Sequence, residues 1–204
     1  EVAWLCREVW GGGLKIVYLV DDVSFLKDSA PDMDTRLISE VPAGDKGFFV
    51  ACVGSPVLRN SLAKAAIELG LAPVAVVHPR AELSESVRVG HGAVVCAGSV
   101  LTTNVFVEEH VHINVGCTVG HDSQIGAFST LSPGAHVAGN VQIGRGVFVG
   151  IGATISNGSR GAPIVIGDNA VIGAGACVLR DVLPGMTVVG VPAVPMRQPN
   201  RYPQ

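Results

Sequence analysis

In the segment Val119-Gly120-His121-Asp122-Ser123-Gln124-Ile125-Gly126, a histidine and an aspartate stand side by side between glycines and aliphatic residues. An imidazole ordinarily titrates at about pH 6.5, so it can take a proton from an amine or a hydroxyl close to neutrality. An adjacent carboxylate orients such a ring and stabilises its charged form. The pair reads as a general base and its helper. His78 precedes a proline, while His91, His110, His112 and His136 are scattered over repeat positions, and no Gly-x-Ser-x-Gly elbow offers a protein nucleophile.

The elements that must position the pair are written in a six-residue rhythm. Leu83, Val89, Val95, Leu101, Val107, Ile113, Val119, Ile125, Leu131, Val137, Ile143, Val149 and Ile155 are all aliphatic, and the rhythm restarts at Ile166, Ile172 and Val178. Four residues after each comes a small or aliphatic residue, from Val87 and Ala93 through Cys117, Ser123 and Ala135 to Ala153 and Ser159. This period fits neither a helical face nor a two-fold strand alternation; it is that of a hexapeptide β-helix. Each hexad makes one side of a triangular prism, with its large aliphatic residue pointing into the shaft and Gly, Asn, Asp or Pro at the corners. His121 and Asp122 then fall outside the shaft. His110 and His112 are two apart but on different sides of the corner pattern, so they do not reproduce the three-histidine zinc site of some β-helix enzymes, and no metal is expected. Asn157-Gly158-Ser159-Arg160-Gly161-Ala162-Pro163 breaks the rhythm and reads as a loop leaving one corner, the kind of segment that often borders an active site.

Before the repeats the pattern changes. Glu1 to Trp10 has an amphipathic helical look, Leu14 to Val20 and Gly47 to Gly54 read as strands, and Ala75 to Val77 as a shorter one. A helix is predicted from Ser55 or Pro56 to Leu69, with Val57, Leu58, Leu62, Ala65, Ala66 and Leu69 as its apolar positions. Strands alternating with helices predict a parallel sheet whose carboxyl ends carry ligands. A doubly wound unit of this kind starts with a strand and a glycine-rich turn, and the sequence opens after both, inside the helix they would feed.

The chain of 204 residues is 48% hydrophobic with a net charge of −3. Its scattered lysines and arginines form no basic patch for a nucleic-acid backbone. Cys6, Cys52, Cys96, Cys117 and Cys177 are odd in number and form no Cys-x-x-Cys pair, which suggests free thiols and a cytoplasmic home. No apolar run has the length of a membrane span.

The order of Val20-Asp21-Asp22, Ala51-Cys52-Val53-Gly54, His78-Pro79 and hexads such as Ile125-Gly126-Ala127-Phe128-Ser129-Thr130 resembles the bacterial sugar acetyltransferases that include the sialic acid O-acetyltransferases and the UDP-4-amino-sugar N-acetyltransferases. The resemblance implies a left-handed parallel β-helix over residues 79–204, preceded by a small, N-terminally truncated Rossmann-like α/β domain over residues 1–78 that binds a nucleotide sugar. It implies acetyl-CoA as co-substrate and direct transfer, with His121 as base, Asp122 as its helper and the Gly139 N–H as oxyanion donor. Asp21, Asp22 and Gly54 match positions against the nucleotide, and Asn114 a position close to the sugar. Ile151, Ala174 and Thr130 match positions along the coenzyme, although some relatives carry histidine at the last. Val189-Gly190-Val191-Pro192-Ala193 resembles the closing segment of many coenzyme-A-dependent hexapeptide enzymes. The family's trimer, with sites between subunits, is the expected assembly. The amino group of a nucleotide-linked amino sugar is the expected acceptor; O-acetylation of sialic acid or a non-catalytic nucleotide-sugar scaffold are the alternatives.

Overall fold

The computed structural model describes residues 1–27, 33–42, 44 and 47–196; the last eight positions of the expected β-helix domain lie outside that set. From Val76 onward the hexads wind into stacked triangular coils. Up to the extruded loop each strand pairs in parallel with the one three hexads, or 18 residues, further on, as in His112 to Thr130, Thr118 to His136 and Gln124 to Gln142; across the loop the strands still pair in parallel, as in Val141 to Ile164 and Phe148 to Val171. Three faces result. The first carries Val94–Val95, His112–Ile113 and Thr130–Leu131, the second Thr118–Val119 and His136–Val137, and the third Phe106–Val107 and Gln124–Ile125.

The aliphatic columns fill the shaft: Val95, Ile113, Leu131, Val149 and Ile172 are fully buried one above another. Each such side chain contributes about 1.5–3 kcal/mol. Only stacking realises this gain, because a single coil leaves its column open to water above and below. The small residues at the fifth hexad position are buried beside them, except Val87, which is half-buried, and Ser159, which is exposed. It sits in the extruded loop, closed by a Ser159–Ala162 bridge, so the reading of Ser159 as inward-facing is corrected. Tight corners draw on left-handed backbone. Asn104, Asp122 and Asn140 stack at one corner with φ of 56° each, a conformation that asparagine and aspartate tolerate better than most residues.

The N-terminal part contains α1 (Val2–Trp10), β1 (Tyr18–Val20), α2 (Ser24–Lys27), β2 (Thr35–Leu37), β3 (Phe48–Phe49), α3 (Pro56–Glu68), β4 (Ala72–Pro73) and β5 (Val76–Val77). Its strands are much shorter than the predicted 14–20 and 47–54. Among the described residues they form two separate parallel pairs, β1 with β2 and β3 with β4, rather than one sheet. Pro73 in β4 has no N–H to carry the second ladder further. β5 pairs directly with Val94–Val95 and is part of the prism's first face.

Two contacts seat this part on the coils. Leu5 of α1 packs on Val76, Val94 and Cys96 of the first face. α3, capped by the Ser55 hydroxyl, which accepts from the Leu58 N–H at 3.4 Å, packs Ala63 against Ala127 and Phe128 at the corner between the third and first faces. The predicted apolar face of α3 is corrected here. Val57 and Leu58 are exposed, and the buried side is Arg59, Ala63 and Ala66.

Candidate active site

His121 and Asp122 project from the corner between the second and third faces, more than half and half exposed respectively. His121 Nδ1 lies 2.8 Å from Asp122 Oδ2. The other carboxylate oxygen accepts from Asn104 Nδ2 at 3.0 Å. Asn104 occupies the same corner one coil below. Hydrogen bonds from Asn104 and His121, with the charge of Arg160, hold the Asp122 carboxyl below the ordinary carboxylate range, so Asp122 is ionised at neutral pH. An ionised carboxylate only accepts, so His121 Nδ1 carries the proton and Nε2 carries the lone pair. The ring is thereby oriented with its basic nitrogen outward.

That nitrogen lies over Gly139, one coil above. A Cβ on Gly139 would meet His121 Nε2 at 2.6 Å, so glycine is required there by space and not by φ. The Gly139 carbonyl accepts from Gly158 N–H, while its own N–H has no acceptor among the described residues. Base nitrogen and free amide thus face the same corner. The extruded loop borders this corner on the Asp122 side: Ser159, Arg160, Gly161 and Pro163 line a groove of about 550 Å³ with Asn104, Asp122, Asn140 and Gln142, a lining that does not include His121 or Gly139.

The remaining sequence-predicted residues lie elsewhere. Asn114, Ile151 and Ala174 stand on the corner between the first and second faces, separated from His121 by the whole second face. Asn114 donates from Nδ2 to the Leu131 carbonyl at 2.9 Å, and Ile151 and Ala174 are exposed. Gly54 reaches the same corner from the loop before α3, where Gly54, Cys52, Trp4, His78, His112 and Asn114 border a cavity of about 220 Å³. Thr130 is buried; its hydroxyl donates to the Gly54 carbonyl at 3.0 Å and accepts from Arg59 at 2.9 Å. In this geometry it holds the Gly54 loop rather than facing an open groove. Asp21 and Asp22 are exposed at the end of β1, where Asp22 Oδ1 accepts from the N–H and hydroxyl of Ser24, both at 2.7 Å. The described residues therefore hold two separate candidate half-sites.

Two functional-looking residues escaped the sequence reading. Asn104 was detectable in principle, because it precedes Asp122 by three hexads. Arg59 was not, since an arginine in a helix ordinarily reads as exposed. It is fully buried with no carboxylate beside it. Nε donates to the His110 carbonyl at 2.9 Å, Nη1 to those of Val53 at 2.6 Å and Gly54 at 3.2 Å, and Nη2 to those of Phe128 and Ser129. Desolvation lowers its pKa to about 10, so the guanidinium remains charged at neutral pH, stabilised by carbonyl dipoles.

Comparison with known proteins agrees with this architecture. Residues 80–103 and 140–180 match the hexapeptide repeat of succinyl-transferase. The GDP-perosamine N-acetyltransferase of Escherichia coli O157:H7 is 32% identical over 153 residues, 75% of this chain and 69% of that protein. WeeI from Acinetobacter baumannii AYE superimposes with a TM-score of 0.86 at 30% identity, covering 96% of this chain and 93% of WeeI. PerB from Caulobacter crescentus, solved with CoA and GDP-perosamine, gives a TM-score of 0.70 at 33% identity over 74% of this chain and 70% of PerB. With its left-handed parallel β-helix and these relatives, the chain belongs to the hexapeptide-repeat sugar acetyltransferases.

Proposed function

We propose that this protein transfers the acetyl group of acetyl-CoA to the amino group of a nucleotide-linked amino sugar, with His121 as general base. The observation that carries the assignment of the base is the orientation of its ring: Asp122 accepts a hydrogen bond from His121 Nδ1–H at 2.8 Å, leaving Nε2 free beside Gly139. His121 Nε2 removes a proton from the acceptor amine as its nitrogen bonds to the thioester carbonyl carbon. The Gly139 N–H donates to the carbonyl oxygen as that oxygen becomes negative; one well-placed donor of this kind is worth about 3 kcal/mol in a transition state. The C–S bond then breaks, and His121 returns its proton to the departing thiolate.

Gly54 and Asn114 on the other corner are assigned to the acceptor, and Ile151 and Ala174 to the coenzyme; Asp21 and Asp22 are assigned to the nucleotide. Because these residues and His121 stand at opposite edges of the second face, a complete site needs His121 of one copy against the first-to-second corner of another. A homotrimer with three such interfaces supplies this geometry. Residues 1–78 serve as the acceptor-binding part and 79–204 as the transferase part. Five cysteines without a disulfide and the use of acetyl-CoA suit a cytoplasmic enzyme. Among the described residues no helix is long and apolar enough to cross a membrane.

The test is thiol release from acetyl-CoA across GDP- and UDP-linked 4-amino sugars and free sialic acid. A 4-amino nucleotide sugar should be acetylated, and His121→Ala should lower kcat by roughly 10²- to 10⁴-fold with little change in coenzyme binding. A variant as fast as wild type removes His121 from the chemistry. Turnover of sialic acid alone replaces N- with O-acetylation.

A further inference from the structure

The cavity at the first-to-second corner contains two imidazoles that the reaction above does not use. His78 is 2% exposed and His112 8%; both line the cavity, and the Nε2 of each is buried without a partner. Their tautomers are set from behind. The Arg80 backbone N–H donates to His78 Nδ1 at 2.9 Å, so Nδ1 holds the lone pair and Nε2 the proton. His112 is the reverse. The Ala51 carbonyl acts on its ring as an acceptor would while Nε2 stays unpartnered among the described residues; the tautomer with its proton on Nδ1 and its lone pair on Nε2 fits both. Burial, reinforced by the charge of Arg59, pushes His112 down to about 3, so it carries no charge near neutrality. The cavity thus offers one uncharged donor and one uncharged acceptor beside Asn114 and the acidic Glu1, framed by Leu5, Val94 and Val115 and by the Trp4 indole, whose ring centroid is 5.5 Å from that of His78. An apolar wall with a few convergent polar atoms is the usual form of a small-molecule site.

We propose that His78 and His112 read an uncharged hydroxyl edge of the acceptor's hexose. His78 Nε2–H donates to a sugar oxygen and His112 Nε2 accepts from a sugar O–H, with Trp4 beside the ring. A hydroxyl both donates and accepts, so it satisfies either atom. A carboxylate at this edge has no proton for His112 and sets its oxygens against that lone pair. The enzyme therefore selects neutral amino sugars over acidic ones. This selectivity presupposes that the cavity is the acceptor site assigned above, and the experiment separates the two.

Steady-state rates are measured for a neutral nucleotide-linked 4-amino sugar and for a counterpart carrying a carboxylate on the hexose, with wild type, His112→Leu and His112→Gln. Leucine keeps bulk and removes the acceptor; glutamine returns an oxygen acceptor. The expected result is a 10- to 1,000-fold fall in kcat/KM for the neutral sugar with leucine, most of it recovered with glutamine, and an unchanged KM for acetyl-CoA. Wild type should prefer the neutral sugar by at least tenfold. Equal turnover of both sugars, or a leucine variant within threefold of wild type, overturns the proposal. In parallel, Trp10→Phe leaves Trp4 as the sole tryptophan. If a saturating, turning-over acceptor leaves its fluorescence unchanged, the cavity is not the acceptor site and both readings fall. A changed signal with no selectivity sinks the histidine pair alone. Nitrogen-15 spectra of the wild-type imidazoles give a check that needs no folded variant. The reversed tautomers, or a His112 Nε2 resonance that the bound acceptor does not move, also overturn it.

Discussion

Replacing Arg59 by methionine should release α3 from the coils while leaving the prism intact. The magnitude follows from which carbonyls depend on this side chain. Gly54 also accepts from the Thr130 hydroxyl, and Ser129 accepts from the His112 N–H, so both stay satisfied. The carbonyls of Val53, His110 and Phe128 receive from Arg59 and from no other donor among the described residues. An orphaned buried acceptor costs about 1–3 kcal/mol; with the His110 and Phe128 contacts buried and the Val53 contact only partly so, and Val53 counted at the low end of that range, the three together cost roughly 3–7 kcal/mol. Methionine retains the volume but supplies no donor. Against that loss, α3 is otherwise seated through the small cluster of Ala51, Ala63, Ala127 and Phe128, whereas the prism holds its own column of aliphatic residues. The penalty should therefore appear as local undocking, not global unfolding. Hydrogen exchange read by mass spectrometry is the assay. Peptides from 56–68 should exchange at least ~100-fold faster, since 1.4 kcal/mol is about tenfold, while those covering 141–178 keep wild-type protection. Arg59→Lys, with one compact ammonium in place of the fork, should fall between. Unchanged protection of α3 in the methionine variant would refute the reasoning. So would a uniform loss across the prism.

Asn104→Ala removes the hydrogen bond that does most to lower the Asp122 pKa. A depressed carboxylate contributes stability that is full above its ordinary 3.8 and is lost as pH falls through the lower folded value. Without Asn104 that contribution should be smaller and its loss complete at higher pH, and the carbon-13 titration of Asp122 should move up; a stationary midpoint would show that Asn104 does not hold the carboxylate. Gly139→Ala should cut kcat by about tenfold or more with little change in melting temperature, because the new methyl displaces His121 Nε2 and not a packed backbone. Wild-type kcat in that variant would mean the ring is free to sit elsewhere. Co-refolding His121→Ala with Asn114→Ala chains should recover activity that neither possesses alone, since some interfaces then pair two intact half-sites. No recovery, with mixed oligomers verified by mass, would place the whole site in one chain.

The prism was legible because a coil gives each hexad one inward place for a large residue, so a missed aliphatic residue would open the shaft. The same 18-residue stacking makes Asn104 a neighbour of Asp122 and Gly139 a neighbour of His121; Gly139 is carried by the family resemblance, whereas nothing but its spacing marks Asn104. The N-terminal part obeyed weaker rules. α3 approaches the corner through alanines, which lets its backbone come close and sends Val57, Leu58 and Ile67 outward; reading large apolar residues as buried selects the wrong side of such a helix. Arg59 belongs on that close side because docking a loop and a helix on a β-helix corner leaves carbonyls with no ladder to join, and a planar five-donor fork can serve several at once. The histidines show the same limit. His91 and His136 are exposed, whereas His110 is stacked between Phe49 and Phe128, with ring centroids 5.9 and 4.8 Å away, and burial lowers its pKa. Periodicity places a side chain on the outside of the prism, but whether that outside is water or another element is decided by tertiary packing. The residues beneath the N-terminal part, His78 and His112 among them, were therefore the ones whose environment the sequence could not supply.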